Sequence, residues 1–177
     1  MNICIFCSAS DVDKKYTDTA RELAILIARG QHTLVWGGSN KGTMRVIADA
    51  AQGAGGKIVG ITMELLKVNA RSNADEMHVM KNLPERKAKL LERSDAIIVL
   101  PGGLGTIDEI TEVLELKKHK VHNKAIVFLN TADFYAGFKM QLERMDAEGF
   151  LPRPLSELLF FSDTPEDAMR YITEYGN

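Results

Sequence analysis

Cysteine is scarce in this chain: two residues in 177 provide no disulfide framework, so the fold has to rest on a packed apolar core, for which the length suffices. Cys4 and Cys7 have CxxC spacing, but they lie in a strand-like run from Asn2 to Cys7. Residues three apart in a strand face opposite sides, so neither a disulfide nor a shared metal is expected there. An excess of either charge is missing too. Lysine and arginine total 22 against 24 acids, a formal net charge of −2. That balance gives no basic field for nucleic acid or an anionic membrane, and a small ligand is the expected partner. No apolar run approaches the ~18 residues of a membrane span, and Met1-Asn2-Ile3-Cys4 lacks the basic start of a signal peptide, so a cytoplasmic location is expected. Repeats, low-complexity tracts and linkers are absent as well, which predicts a single domain over residues 1–177.

What is present is a regular alternation. Apolar runs of strand length fall at 2–7, 32–36, 57–61, 95–100 and 125–129, with weaker ones at 76–80 and 158–161. Between them lie stripes at helical spacing: Tyr16, Ala20, Leu23, Ala24 and Ile27; Met44, Ile47, Ala48 and Ala51; Phe134, Phe138, Leu142 and Met145. Continuous rather than alternating strands, separated by amphipathic helices, indicate a parallel sheet covered on both faces. The predicted fold is α/β, a Rossmann-like three-layer sandwich with a mostly parallel sheet of about seven strands. Asp163-Thr164-Pro165 supplies a cap and a first-turn proline for a last helix to about Tyr175.

Two glycine loops follow strands and precede helices. In Pro101-Gly102-Gly103-Leu104-Gly105-Thr106-Ile107-Asp108-Glu109, unpaired amides and the positive end of a helix dipole converge to make an anion site, most often for phosphate. A plainer explanation is a capping box from Thr106 to Glu109, although a cap does not require three glycines before it. The other loop, Gly37-Gly38-Ser39-Asn40-Lys41-Gly42-Thr43, fits neither nucleotide motif. Lys41 stands on the wrong side of Gly42 for a Walker A, and the spacing of Gly37, Gly38 and Gly42 is not G-x-G-x-x-G, despite Glu64 about where a ribose-binding acid would lie. A tight strand-to-helix turn is the plainer alternative for it. Both loops leave the carboxyl ends of strands, the edge where open α/β sheets bind ligands.

Asp108 and Glu109 beside a phosphate call for a nearby cation. The helix around 84–93 offers one, because Arg86 and Lys87 interrupt the inward face marked by Leu83, Leu90 and Leu91. An unpaired buried ion costs several kcal/mol, so an inward charge requires an internal partner, with or without a ligand. His119 and His122 are surrounded by Lys117, Lys118 and Lys120, which reads as a solvated helix end rather than a metal site. Helix 106–118 carries apolar residues on several sides: Ile107, Ile110, Val113, Leu114 and Leu116. One sheet cannot cover them all, and a homodimer is expected.

These residues resemble the Lonely Guy family of nucleoside 5′-monophosphate phosphoribohydrolases, also labelled lysine decarboxylase-like. The similarity spans nearly the whole chain. Its PGGxGTxxE motif matches from Pro101 to Glu109, and the Arg86-Lys87 pair matches an MxxRKxxM-type segment at Leu83 to Leu90. Cys7-Ser8-Ala9-Ser10 is similar to the family's CGSS, and Gly37-Gly38-Ser39 and Gly42-Thr43-Met44-Arg45 are similar to its GGG and GLMG. Departures are leucine for both methionines (Leu83, Leu90), Pro84 for a frequent histidine, and Ser8, Ser39 and Arg45 for glycines. The resemblance implies hydrolysis of the N-glycosidic bond of a nucleoside 5′-monophosphate, a cytokinin riboside monophosphate or AMP, without metal or organic cofactor. It assigns Arg86 and Glu109 to catalysis and Gly103, Gly105 and Thr106 to the 5′-phosphate. Lys87, Gly37, Gly38 and Ser10 are further substrate-binding candidates. The alternatives are a carrier of a phosphorylated ligand, similar to molybdenum-cofactor carriers, and a nucleotide sensor.

Overall fold

The computed structural model describes residues 1–175. Seven strands, all parallel, form one sheet in the order β4-β3-β2-β1-β5-β6-β7. They are β1 (Asn2–Phe6), β2 (Thr33–Trp36), β3 (Ile58–Met63), β4 (Glu76–Met80), β5 (Ala96–Val99), β6 (Ala125–Leu129) and β7 (Phe160–Ser162). The helices are α1 (Lys14–Arg29), α2 (Gly42–Gly53), α3 (Leu83–Glu92), α4 (Leu104–Lys118), α5 (Ala136–Ala147), the single turn α6 (Leu155–Leu158) and α7 (Pro165–Glu174). Short 3₁₀ segments occupy Glu64–Asn69 and Thr131–Asp133. Every predicted strand is present. The weak candidate at 158–161 resolves into the end of α6 followed by β7, because Leu158 and Leu159 turn inward and only Phe160 onward pairs with β6.

Side-chain alternation along the strands divides the interior in two. Ile3 and Ile5 point into a core closed by Leu23 and Ile27 of α1, Ile47 and Ala51 of α2, and Ala168 and Ile172 of α7. Cys4 and Phe6 point to the other face, under Leu90 of α3, Ile110 and Val113 of α4 and Leu142 of α5. The two cysteines therefore lie on opposite sides of the sheet, both buried and free. Truncating a buried leucine such as Leu23 to alanine would cost about 2–5 kcal/mol.

Helix starts follow local chemistry. Asp13 accepts from the Lys15 amide at the start of α1, Asn82 from Glu85 at α3, and Thr164 from Asp167 at α7, which has proline in its first turn. α2 and α4 begin without a side-chain cap. Both starts flank the carboxyl end of β1. The chain builds outward from β1 to β4 on one side and returns to build β5 to β7 on the other, so the order of strand addition reverses between β1 and β5. Such a reversal opens a crevice at the carboxyl edge. Among the described residues no helix is long and apolar enough to cross a membrane.

Candidate active site

The crevice at that reversal has a volume of about 380 Å³. One wall is the loop after β1, from Cys7 to Ser10; the other is the first two turns of α4, with Gly103, Gly105, Thr106 and Glu109. Arg86 enters from α3, and Met44, Leu66 and Leu83 add an apolar border.

Gly103 is the N-cap of α4, in extended conformation, and Thr106 lies within the first turn. The capping-box reading is therefore incorrect: the N-cap lies three residues before Thr106, at Gly103, and Glu109 is spent elsewhere. A Cβ on Gly102 would overlap Oγ1 of Thr106 and lie 2.6 Å from its Cβ, so this glycine is required by the turn itself. Gly103 and Gly105 differ, since a Cβ on either would meet nothing within 4 Å. Their bare backbone faces the open crevice, which is where an anion reaches helix-start amides. Beneath the turn, the Tyr135 hydroxyl donates to the Leu100 carbonyl at 2.7 Å, and the Tyr135 amide donates to Asn130 Oδ1 at 2.7 Å. The turn is thereby fixed from below.

Arg86 and Glu109 meet at the floor. Nη1 of Arg86 lies 2.5 Å from Oε1 of Glu109, and Nε donates to the Ile61 carbonyl at 2.9 Å. The two residues are only 5% and 6% exposed. Burial pushes the Glu109 carboxyl above its ordinary pKa, against the opposing pull of the Arg86 charge. A carboxylate of raised basicity held by a rigid guanidinium fork suits stabilisation of a positive centre or acceptance of a proton.

Of the candidates from sequence, Arg86, Glu109, Gly103, Gly105, Thr106 and Ser10 line one crevice. Lys87, Gly37 and Gly38 do not. The Lys87 ammonium turns away to Asp108, at 3.1 Å, and to Glu112, bridging α3 to α4. That pairing answers the charge of Asp108 as Arg86 answers that of Glu109. Gly37 sits under the guanidinium: a Cβ there would overlap Nη2 of Arg86. Gly38, at φ +76°, packs against Met77 and Thr62 and serves the turn. Glu64 is exposed on its 3₁₀ segment. His119 pairs with Glu115, while His122 Nε2 donates to the Val113 carbonyl at 3.0 Å. Among the described residues no group of three or more metal-ligating side chains forms.

Leu66 lines the crevice and Arg71 holds its segment, and neither belongs to a motif in the sequence. Buried Arg71 donates to Asn40, Asp49 and Gln52, its amide donates to the Gly38 carbonyl, and the Asn40 amide donates to Asn69. These bonds strap residues 64–71 to α2 and hold Leu66 at the crevice border. α4 is better covered than its sequence suggests. Ile110 and Val113 are buried, and Ile107 and Leu114 pack partly on the chain's own second core, leaving Leu104 fully outward at 90% exposure.

A family model described as possible lysine decarboxylase matches residues 44–172. The cytokinin riboside 5′-monophosphate phosphoribohydrolase of Mycobacterium tuberculosis is 34% identical over 170 residues, covering 95% of this chain and 91% of that protein. The enzyme of the same name from Rhodococcoides fascians is 35% identical over 167 residues, 92% of this chain and 84% of the relative. Among solved structures, the molybdenum cofactor binding protein from Rippkaea orientalis superimposes with a TM-score of 0.76 at 22% identity, covering 97% of this chain and 94% of that one. The Moco carrier protein from Chlamydomonas reinhardtii gives 0.75 at 20% identity, with 98% and 95% covered. At such identities the likeness shows the fold alone.

Proposed function

The chain belongs to the lysine decarboxylase-like, or Lonely Guy, family, and from that premise we propose that it hydrolyses the N-glycosidic bond of a nucleoside 5′-monophosphate, releasing free base and ribose 5-phosphate. The observation that carries the reading is the buried Arg86–Glu109 pair at the floor of a crevice whose wall is an uncapped helix start.

In this assignment the 5′-phosphate accepts from the amides around Gly103, Gly105 and Thr106, opposite Ser10. The ribose then lies one helical turn along α4, beside Glu109, and the base rests against Met44, Leu66 and Leu83. Breaking the bond leaves positive charge on C1′ and the ring oxygen. Ionised Glu109 stabilises that charge, and Arg86 holds the carboxylate in place and fixes the sugar. Lys87 acts by joining α3 to α4 rather than by touching the nucleotide. A second copy of the chain covers the outward face of α4 at Leu104, and the reaction is placed in the cytoplasm.

The test is incubation with AMP and with N6-isopentenyl-AMP, followed by chromatography for free base. Release of adenine or of the N6-substituted base supports the hydrolase. Binding of either nucleotide without base release identifies a carrier or sensor instead. Sedimentation velocity tests the dimer, which Leu104→Glu is expected to weaken.

A further inference from the structure

Glu109 lines two separate cavities. The first is the crevice; the second is a cleft of about 340 Å³ on the far side, between α3 and α4. Phe6 forms its floor, Ala88 and Leu91 one wall, Val113 and Leu116 the other, and it opens beside Val121, which is 66% exposed. Glu109, Glu112 and Lys87 stand together at the active-site end, and Glu92, His122 and Lys124 also line the cleft. The Lys87 ammonium, paired with Asp108 of the crevice lining and Glu112 of the cleft lining, stands with Glu109 between the two cavities.

A nucleotide filling the crevice blocks the direct approach of solvent to the sugar. The cleft has room for several water molecules, at about 30 Å³ each. We infer that the water consumed in the reaction reaches Glu109 through the α3–α4 cleft, on the opposite side from the substrate's entry. The inference rests on the hydrolase reading above. The water oxygen forms a bond to C1′ as the C1′–N bond breaks; the electron pair of that bond leaves with the base, and the proton lost by water passes through Glu109 to the base nitrogen. The apolar stretches at Phe6, Ala88, Leu91, Val113 and Leu116 hold water loosely, and Glu109 is the cleft carboxylate that also faces the crevice. In this arrangement Ala88 and Leu116 are positioning residues that set the bore.

The experiment narrows the cleft from each wall without touching Glu109 or Lys87. Ala88→Trp acts from α3, where the residue is exposed, and Leu116→Trp from α4. The expected result is a kcat lower by about tenfold or more, with KM and the affinity for ribose 5-phosphate within about twofold of wild type. The second readout is nucleophile size. With methanol added, the same step yields methyl riboside 5-phosphate, and the milder Ala88→Leu is expected to lower the ratio of this methyl glycoside to ribose 5-phosphate, since the larger nucleophile is excluded first. A defect of folding or of Glu109 alone would lower both products equally. Wild-type turnover in both tryptophan variants, or an unchanged methanol-to-water ratio in Ala88→Leu, overturns the route while leaving the hydrolase assignment standing. Absence of base release by the wild-type protein overturns both.

Discussion

The hydrogen that Gly37 carries in place of a side chain leaves room for the guanidinium of Arg86: a Cβ there would overlap Nη2 and come within 2.9 Å of Met44 Cε. Gly37 thus acts on the site through Arg86. Gly37→Ala is expected to keep the fold, because the obstacle is the far end of a flexible side chain, but to move the guanidinium off Glu109. Turnover should fall by about 10²-fold, the scale of an ångström-level misplacement. Steady-state kinetics beside a circular dichroism melt checks this; full turnover with an unchanged melt would contradict it.

Gly102 and Gly105 should separate a structural glycine from a ligand-facing one. Gly105→Ala meets open space inside a helix, where alanine is favoured by about 1 kcal/mol. The melting temperature should hold or rise while KM for the nucleotide increases about tenfold or more. Gly102→Ala strikes Thr106 and should lower the melting temperature. Equal effects from the two substitutions would refute the division.

Acid dependence should report Glu109. Its pKa is raised by burial, so ionisation, and with it activity, is lost as pH falls through a value above the ordinary glutamate figure of about 4.3. The acid limb of kcat/KM is therefore expected above that figure. Glu109→Gln should lower kcat by about 10²-fold and leave residual activity without that limb. Each single replacement in this buried pair strands the opposite charge, at about 3–5 kcal/mol, so thermal melts must accompany the kinetics. An acid limb at the ordinary value would show that burial does not control this carboxyl.

Lys117 predicts a second pH effect, on stability. Its side chain is fully buried, its Nζ donates to the Lys124 carbonyl at 2.9 Å, and burial, with the Arg153 charge, lowers its pKa to about 8. Between about pH 8 and 10.5 the unfolded chain holds a proton there that the native one has released. Stability therefore gains with rising pH across that window and loses the gain below it. Denaturant melts of Lys117→Met should show a smaller rise over the same range than wild type.

Much of this was legible in the residues. Ile3 to Phe6, Ala96 to Val99 and Ala125 to Leu129 are continuous apolar runs because both faces of a central parallel strand are buried, and that pattern survives without any tertiary information. The glycine turn ahead of α4 was legible because strand, turn and helix are contiguous. The start of α4 was misplaced, since Thr106 and Glu109 have capping spacing whether or not the helix begins earlier. Lys87 was beyond reach for another reason: its direction is decided by Asp108 and Glu112, 21 and 25 residues away. The same holds for Leu66, which reaches the crevice only because Arg71 straps an irregular segment to α2.

Cys7 lines the crevice within the electrostatic reach of Glu109, yet its thiol is pushed well above the ordinary range by burial and by that neighbouring charge. Thiolate is the form that oxidants and alkylating reagents attack. The Cys7 thiol at the wall of this pocket is consequently slow to react, and turnover at neutral pH should survive iodoacetamide until the protein unfolds.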